Sequence, residues 1–259
     1  MKQQHQHHKY LPGKKKVRSE MILITSGCSF SMTSQNIPGP EKHRLSWPDY
    51  LNDSIKGSKL ISKAMGSQGN GLISKSIIYE VSKQLKECSA DDLLVGIMWS
   101  GTDRHEILFQ GPPLEPKADS TVENPTGFIK NEKNWQILNP WWENGKSSVY
   151  YKHIHSPLAG NIRTLEHILR TQWFLDKYKV KYFMTTFKDL HIASETETNY
   201  LKDLIDWSKF LPIPGMYEWC IEQTHKYYYA GLDESNHPTS ESYEKFVKEV
   251  ILPFGILGH

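Results

Sequence analysis

Apolar positions along the chain fall into short runs separated by longer periodic stretches. Residues 21–26, 59–65, 92–99 and 180–186 are brief and largely apolar, each bounded by small or polar residues, which predicts buried strands. The third run is continuously apolar, as a strand covered on both faces should be. Between the second and third runs, Leu72, Ile73, Ile77, Val81 and Leu85 recur at helical spacing, and residues 158–178 form a longer amphipathic helix pattern. Ser46 and Pro48 mark the start of an early helix. A short helix is expected over 201–210, and a last one over about 240–250 with Thr239 or Ser240 as its cap.

This alternation predicts an α/β fold, a three-layer sandwich around a five-stranded, mostly parallel sheet. The rhythm breaks over residues 105–156, which are rich in Pro, Gly, Asn and Trp. Phe109, Phe128, Trp135, Trp141, Trp142, Tyr150 and Tyr151 make this insertion an expected ordered cover rather than a slack loop. A second aromatic loop over 211–232 is expected beside it, both over the C-terminal ends of the strands.

The 259 residues suffice for one large domain, expected from residue 21 onward with the insertion inside it. Residues 1–20 carry His5, His7, His8, Lys14, Lys15, Lys16 and Arg18 with few apolar residues, and read as a disordered basic leader. A tail for an anionic partner, nucleic acid included, or a weak metal-binding tract is the competing reading of this leader. The net charge of +2 gives no general argument for nucleic acid. Cys28, Cys88 and Cys220 are odd in number and far apart, which fits a reducing compartment better than a disulfide framework. No signal-peptide core or membrane-length apolar run is present in the sequence, so a cytoplasmic location and no membrane partner are expected.

The candidate chemistry sits at the ends of the predicted strands. The first run ends in Gly27-Cys28-Ser29-Phe30, placing a serine where parallel sheets put reactive groups. A serine is a weak nucleophile without an adjacent base. The base candidate is His237, inside Asp233-Glu234-Ser235-Asn236-His237-Pro238 near the other end of the chain. Asp233 or Glu234 would fix its tautomer. Each residue also has a structural reading: Ser29 as a turn or cap serine, Cys28 as a small packing residue, His237 as part of a helix cap. Trp99, Asp103 and Arg104, where the third run ends, are candidate substrate contacts; an Asp103–Arg104 salt bridge is the plain alternative. His153 and His155 lack acid or cysteine partners at ligand spacing, so no metal is expected.

The order of these blocks resembles the SGNH (GDSL-like) hydrolase superfamily, a flavodoxin-like α/β fold, across roughly residues 21–252. Gly27-Cys28-Ser29 stands where that family has Gly-Asp-Ser. Gly66-Ser67-Gln68-Gly69-Asn70 matches its second block. Ser100-Gly101-Thr102-Asp103 stands for its Gly-x-Asn-Asp block, with Thr102 in place of asparagine, and Glu234 has the family's spacing before His237. The resemblance implies a cofactor-free serine esterase with a Ser29–His237–Asp233/Glu234 triad. It implies an oxyanion hole of Ser29 and Gly69 N–H groups with a side chain from Asn70 or Thr102. Loss of one such donor costs about 3–4 kcal/mol of transition-state stabilisation. The aromatic cover and the family's habits suggest an acetylated carbohydrate as substrate. An inactive or weak carbohydrate-binding or structural protein is the alternative that the missing asparagine and aspartate favour.

Overall fold

The computed structural model describes residues 20–34, 45–108, 121–122, 135–142, 145–192, 196–226 and 231–257, with the backbone alone at 121–122 and 224–226. The basic leader through residue 19, Phe109, Phe128 and Tyr227 to Tyr229 lie outside the described residues. The central sheet contains β1 (Ile22–Ser26), β2 (Lys59–Ser62), β3 (Leu93–Trp99) and β7 (Lys181–Thr186) in the order β2-β1-β3-β7. Every pairing is parallel. Five strands were expected and the described sheet has four; beside β7 there is only a single parallel bridge, between Met184 and Phe210, in a segment expected to be helical. Leu211 N–H donates to Met184 O at 2.9 Å, and the chain then leaves the edge through Pro212 and Pro214, which lack the N–H a ladder needs.

The strand residues alternate between two cores. In β3, Leu94 and Met98 face one side, and Leu93, Val95, Ile97 and Trp99 face the other. That is why the run reads as unbroken hydrophobicity. The first face is covered by α1 (Trp47–Ser54), α6 (Met216–Lys226) and α7 (Ser240–Phe246), through Trp47, Leu51, Met216, Trp219, Tyr243 and Phe246. The second is covered by α2 (Asn70–Gln84) and α4 (Pro157–Lys177), through Ile73, Ile77, Val81, Leu165, Ile168 and Leu169. Gly96 has no side chain because Trp47 and Phe183 close over it; a Cβ there would lie 2.8 Å from Phe183 Cζ and 2.9 Å from Trp47 Cη2.

The helix boundaries follow local chemistry. Ser46 and Asp49 form a reciprocal cap at α1, with Pro48 in its first turn. Ser156 caps α4, and Thr239 Oγ1 accepts from Ser242 N at 3.2 Å to start α7. Over 201–210 only the short α5 (Asn199–Lys202) and a 3-10 turn at Trp207–Lys209 form. The loop expected over 211–232 contains α6.

The insertion has regular structure of its own. β4 (His105–Leu108), β5 (Thr121–Val122) and β6 (Trp135–Leu138) form an antiparallel sheet in the order β4-β6-β5, followed by α3 (Gly145–His153). Trp135 and Ile137 bury themselves against Leu72, at the start of α2. Since the four parallel strands run the same way, the turns after β1, β2 and β3 share one rim, and the insertion packs at that rim.

Candidate active site

β1 ends at Ser26, and residues Ser29–Ser31 make one 3-10 turn, closed by Ser31 N to Cys28 O at 2.9 Å. Trp47 Nε1 donates to Ser31 Oγ at 2.9 Å and pins the turn to α1. Cys28 points into the core and is fully buried, so the thiol is a packing group and Ser29 is the residue turned toward the rim.

The second segment is a tight turn before α7. Leu232 and Pro238 bridge antiparallel, and Asp233 N donates to His237 O at 2.7 Å. Asn236 takes the left-handed conformation at φ 58°, which asparagine tolerates better than most residues. Asp233 Oδ1 accepts from Ser235 N at 2.8 Å, Ser235 Oγ at 2.6 Å and His237 N at 3.0 Å. One carboxylate oxygen thus braces the whole turn.

This turn carries the imidazole to the early serine. His237 Nε2 lies 2.8 Å from Ser29 Oγ, across 208 positions of sequence. The other nitrogen, Nδ1, lies 3.0 Å from Ser235 O and 3.1 Å from Ser235 Oγ. A carbonyl oxygen can only accept, so Nδ1 carries the proton in the neutral ring. Nε2 is then the acceptor, and Ser29 Oγ–H donates to it. That is the tautomer needed to take a proton from a nucleophilic hydroxyl. Phe30 packs on the imidazole with ring centres 5.1 Å apart, and Phe187 meets Phe30 edge-on at 5.3 Å.

Of the two acid candidates, Asp233 reaches the imidazole through Ser235. Glu234 is exposed, and no hydrogen bond joins it to His237 among the described residues. Ser235 was missed by sequence reasoning; its signal is a hydroxyl two residues after an Asp and two before a His, the spacing of a side-chain-closed turn.

The donors expected around the oxyanion are arranged differently. Asn70 is 3% exposed and its carboxamide is committed: Nδ2 donates to Ser100 O and Thr164 Oγ1, each at 3.0 Å, and Oδ1 accepts from Ser100 N at 2.7 Å. It ties the end of β3 to α2 and α4, so its expected role as an oxyanion donor is corrected to a structural one. Gly69 N–H bonds to Glu106. Thr102 is half-buried, and its carbonyl packs against Gly160 at the start of α4. Trp99 is fully buried in the α2–α4 core, which removes it as a substrate contact. Asp103 keeps its carboxylate over Gly101, and its carbonyl accepts from Tyr151 Oη; no ion pair joins it to Arg104.

Glu106 was not foreseen, since it lies inside the aromatic insertion beside His105. Its carboxyl group is enclosed at the start of α2, close against Gly69 and Gly71, where any Cβ would collide with it. Burial pushes it up to about 7, against the pull of Leu72 and Gly69 N–H and of Lys75 and Arg163. Around it, burial and nearby cations hold His105 down to about 4 and His167 down to about 3. For Glu106 the folded-state value lies above the unfolded one. Its stabilising contribution is therefore complete below pH 4.5 and is lost as pH rises through about 7. Wild type should lose stability relative to Glu106→Gln across that window. The histidines shift both proteins alike, so they cancel in the difference. Urea midpoints at pH 5 and pH 8 read this; parallel pH profiles of the two proteins would contradict it.

Among the described residues no group of three or more His, Cys, Asp or Glu is placed to hold a metal, and no helix is long and apolar enough to cross a membrane. No family model matches the sequence, and no curated protein matches it. Solved structures similar in fold include a member of the lipolytic protein G-D-S-L family from Veillonella parvula DSM 2008, at 9% identity and a TM-score of 0.43, covering 88% of this chain and 97% of that one. Another, from Bacteroides fragilis NCTC 9343, is described as a "putative acylhydrolase"; it is 12% identical with a TM-score of 0.36, covering 95% of this chain and 90% of that one. Likeness at this level leaves the assignment to the geometry of the site.

Proposed function

We propose that the chain from residue 21 onward is a serine hydrolase of carboxylic esters, with Ser29 as nucleophile and His237 as base. The observation that carries this reading is the 2.8 Å contact between Ser29 Oγ and His237 Nε2. Ser29 Oγ attacks the ester carbonyl as its proton passes to His237 Nε2. The imidazolium returns that proton to the departing alcohol, leaving an acyl group on Ser29. Water, deprotonated by the same nitrogen, then releases the acid. The Ser29 N–H, at the first position of its 3-10 turn where helical partners are lacking, is the donor assigned to the oxyanion. Asp233 acts on the imidazole through Ser235, stabilising its charged form and fixing its orientation.

A fluorophosphonate probe should form one covalent adduct, on Ser29, and abolish hydrolysis of p-nitrophenyl acetate. Hydrolysis that survives full labelling, or a label elsewhere, would refute the assignment. Asp233→Asn should lower kcat by about 10- to 1000-fold, short of the loss seen when the acid contacts the base directly. Glu234→Gln should stay near wild type. A larger loss in Glu234→Gln than in Asp233→Asn would reverse the choice of acid.

A further inference from the structure

We propose that Arg104 recognises an oxyanion group, carboxylate or phosphate, carried by the ester that Ser29 attacks; the proposal rests on the hydrolase reading above. Arg104 follows β3 at the reactive rim. Its Cβ lies 3.1 Å from the position a Cβ on Gly69 would take. The loop that ends in Gly69 is itself bonded to the nucleophile turn, with Met65 N donating to Gly27 O at 3.2 Å. The guanidinium contacts two rings, its Cζ 5.1 Å from the centre of Trp141 and 5.0 Å from that of Phe187. Phe187 leans on Phe30, and Phe30 on His237, so the cation stands two rings away from the imidazole.

The hydrogen bonding of this cation is unfinished. Nη1 reaches Gln68 O at only 3.5 Å, and Nε is enclosed with no acceptor. No carboxylate pairs with it among the described residues; Asp103, its neighbour in sequence, turns toward Gly101 instead. Arginine offers five donors in a planar fork suited to two oxygens of one anion. Contact with two aromatic rings restricts the orientation of that plane. Trp141 is 50% exposed, which leaves the fork open to a molecule arriving from solvent. A cation that is oriented, partly dehydrated and lacking a carboxylate is the arrangement an anionic substrate group completes.

Two matched ester pairs separate the sides on which the anion sits. On the acyl side, the mono-4-nitrophenyl ester of glutaric acid is compared with 4-nitrophenyl valerate; on the alcohol side, 4-acetoxybenzoate is compared with phenyl acetate. In at least one pair wild type should favour the anionic ester in kcat/KM by about 10- to 100-fold. Arg104→Met should erase that ratio and Arg104→Lys should keep part of it. Inorganic phosphate should compete with the favoured ester and raise the melting temperature of wild type, but not of Arg104→Met. A ratio near one in both wild-type pairs, or a ratio that survives in Arg104→Met, overturns the proposal while the hydrolase reading stands. Ester hydrolysis that persists in Ser29→Ala overturns the hydrolase reading instead, and the phosphate shift still tests Arg104 without turnover.

Discussion

Replacing Ser29 with Ala is expected to lower kcat for p-nitrophenyl acetate by about four to six orders of magnitude, and His237→Ala by a comparable factor. Without the hydroxyl no acyl-enzyme forms. Without the imidazole the hydroxyl keeps its proton and stays a weak nucleophile. The two groups act as one unit through a single 2.8 Å hydrogen bond. The double variant should therefore be little worse than either single one, where independent contributions would multiply. Cys28→Ala separates this from a thiol mechanism, because Cys28 is buried in the core and its loss should leave turnover near wild type. Initial rates for wild type and the four variants, with folding checked by circular dichroism, decide the matter. Hydrolysis in Ser29→Ala within tenfold of wild type, or multiplicative losses in the double variant, would remove the Ser29–His237 unit from the mechanism.

How much of this was legible depended on whether a signal was local. The strands could be read because each is covered on both faces, so burial appears as an unbroken apolar run: Leu93 to Trp99 needs no partner to be recognised. The long helix could be read because Leu165, Ile168 and Leu169 keep one stripe toward the sheet. The missing fifth strand was not legible, because Pro212 and Pro214 stop the pairing only once Phe210 has been brought beside Met184, a long-range event. The insertion hid its strands for a similar reason. β4 and β6 pair across a gap of 26 residues, and their half-polar sequences, His105-Glu-Ile-Leu108 and Trp135-Gln-Ile-Leu138, become strands only by pairing with each other.

The site divides along the same line. Ser29 and His237 stood out because each follows or precedes a strong local element, the end of β1 and the cap of α7. Residues that depend on several elements at once were read less well. Trp99 looked like a rim residue from its place at a strand end, but strand alternation turns its ring into the α2–α4 core. Ser235 and Glu106 gain their meaning from neighbours distant in sequence: Ser235 from the imidazole it touches once the turn closes, Glu106 from the α2 N–H groups it meets when the insertion folds back.

Asn70→Ala should cost about 3–5 kcal/mol of stability and less than tenfold in turnover by the folded protein. The carboxamide supplies both partners of the Ser100 backbone, accepting from its N–H at 2.7 Å and donating to its carbonyl at 3.0 Å. It also donates to Thr164 Oγ1 at 3.0 Å on α4. Alanine fills none of these roles. It strands a backbone donor and a backbone acceptor at a position where the native residue is 3% exposed, at about 1–3 kcal/mol for each unpaired group. That sum is a large share of the 5–15 kcal/mol typical of a folded domain. Asn70→Asp should be no better, because a carboxylate facing the acceptor-only Ser100 O replaces the donor that carbonyl needs. A side chain that held the oxyanion would behave in the opposite way, with its removal costing about 100- to 1000-fold in kcat at modest cost to stability. Urea unfolding and fluorophosphonate-titrated turnover on the same Asn70→Ala preparation separate the two. A large loss of kcat per titrated site with an unchanged urea midpoint would return Asn70 to the oxyanion hole and overturn its role as the clamp between β3, α2 and α4.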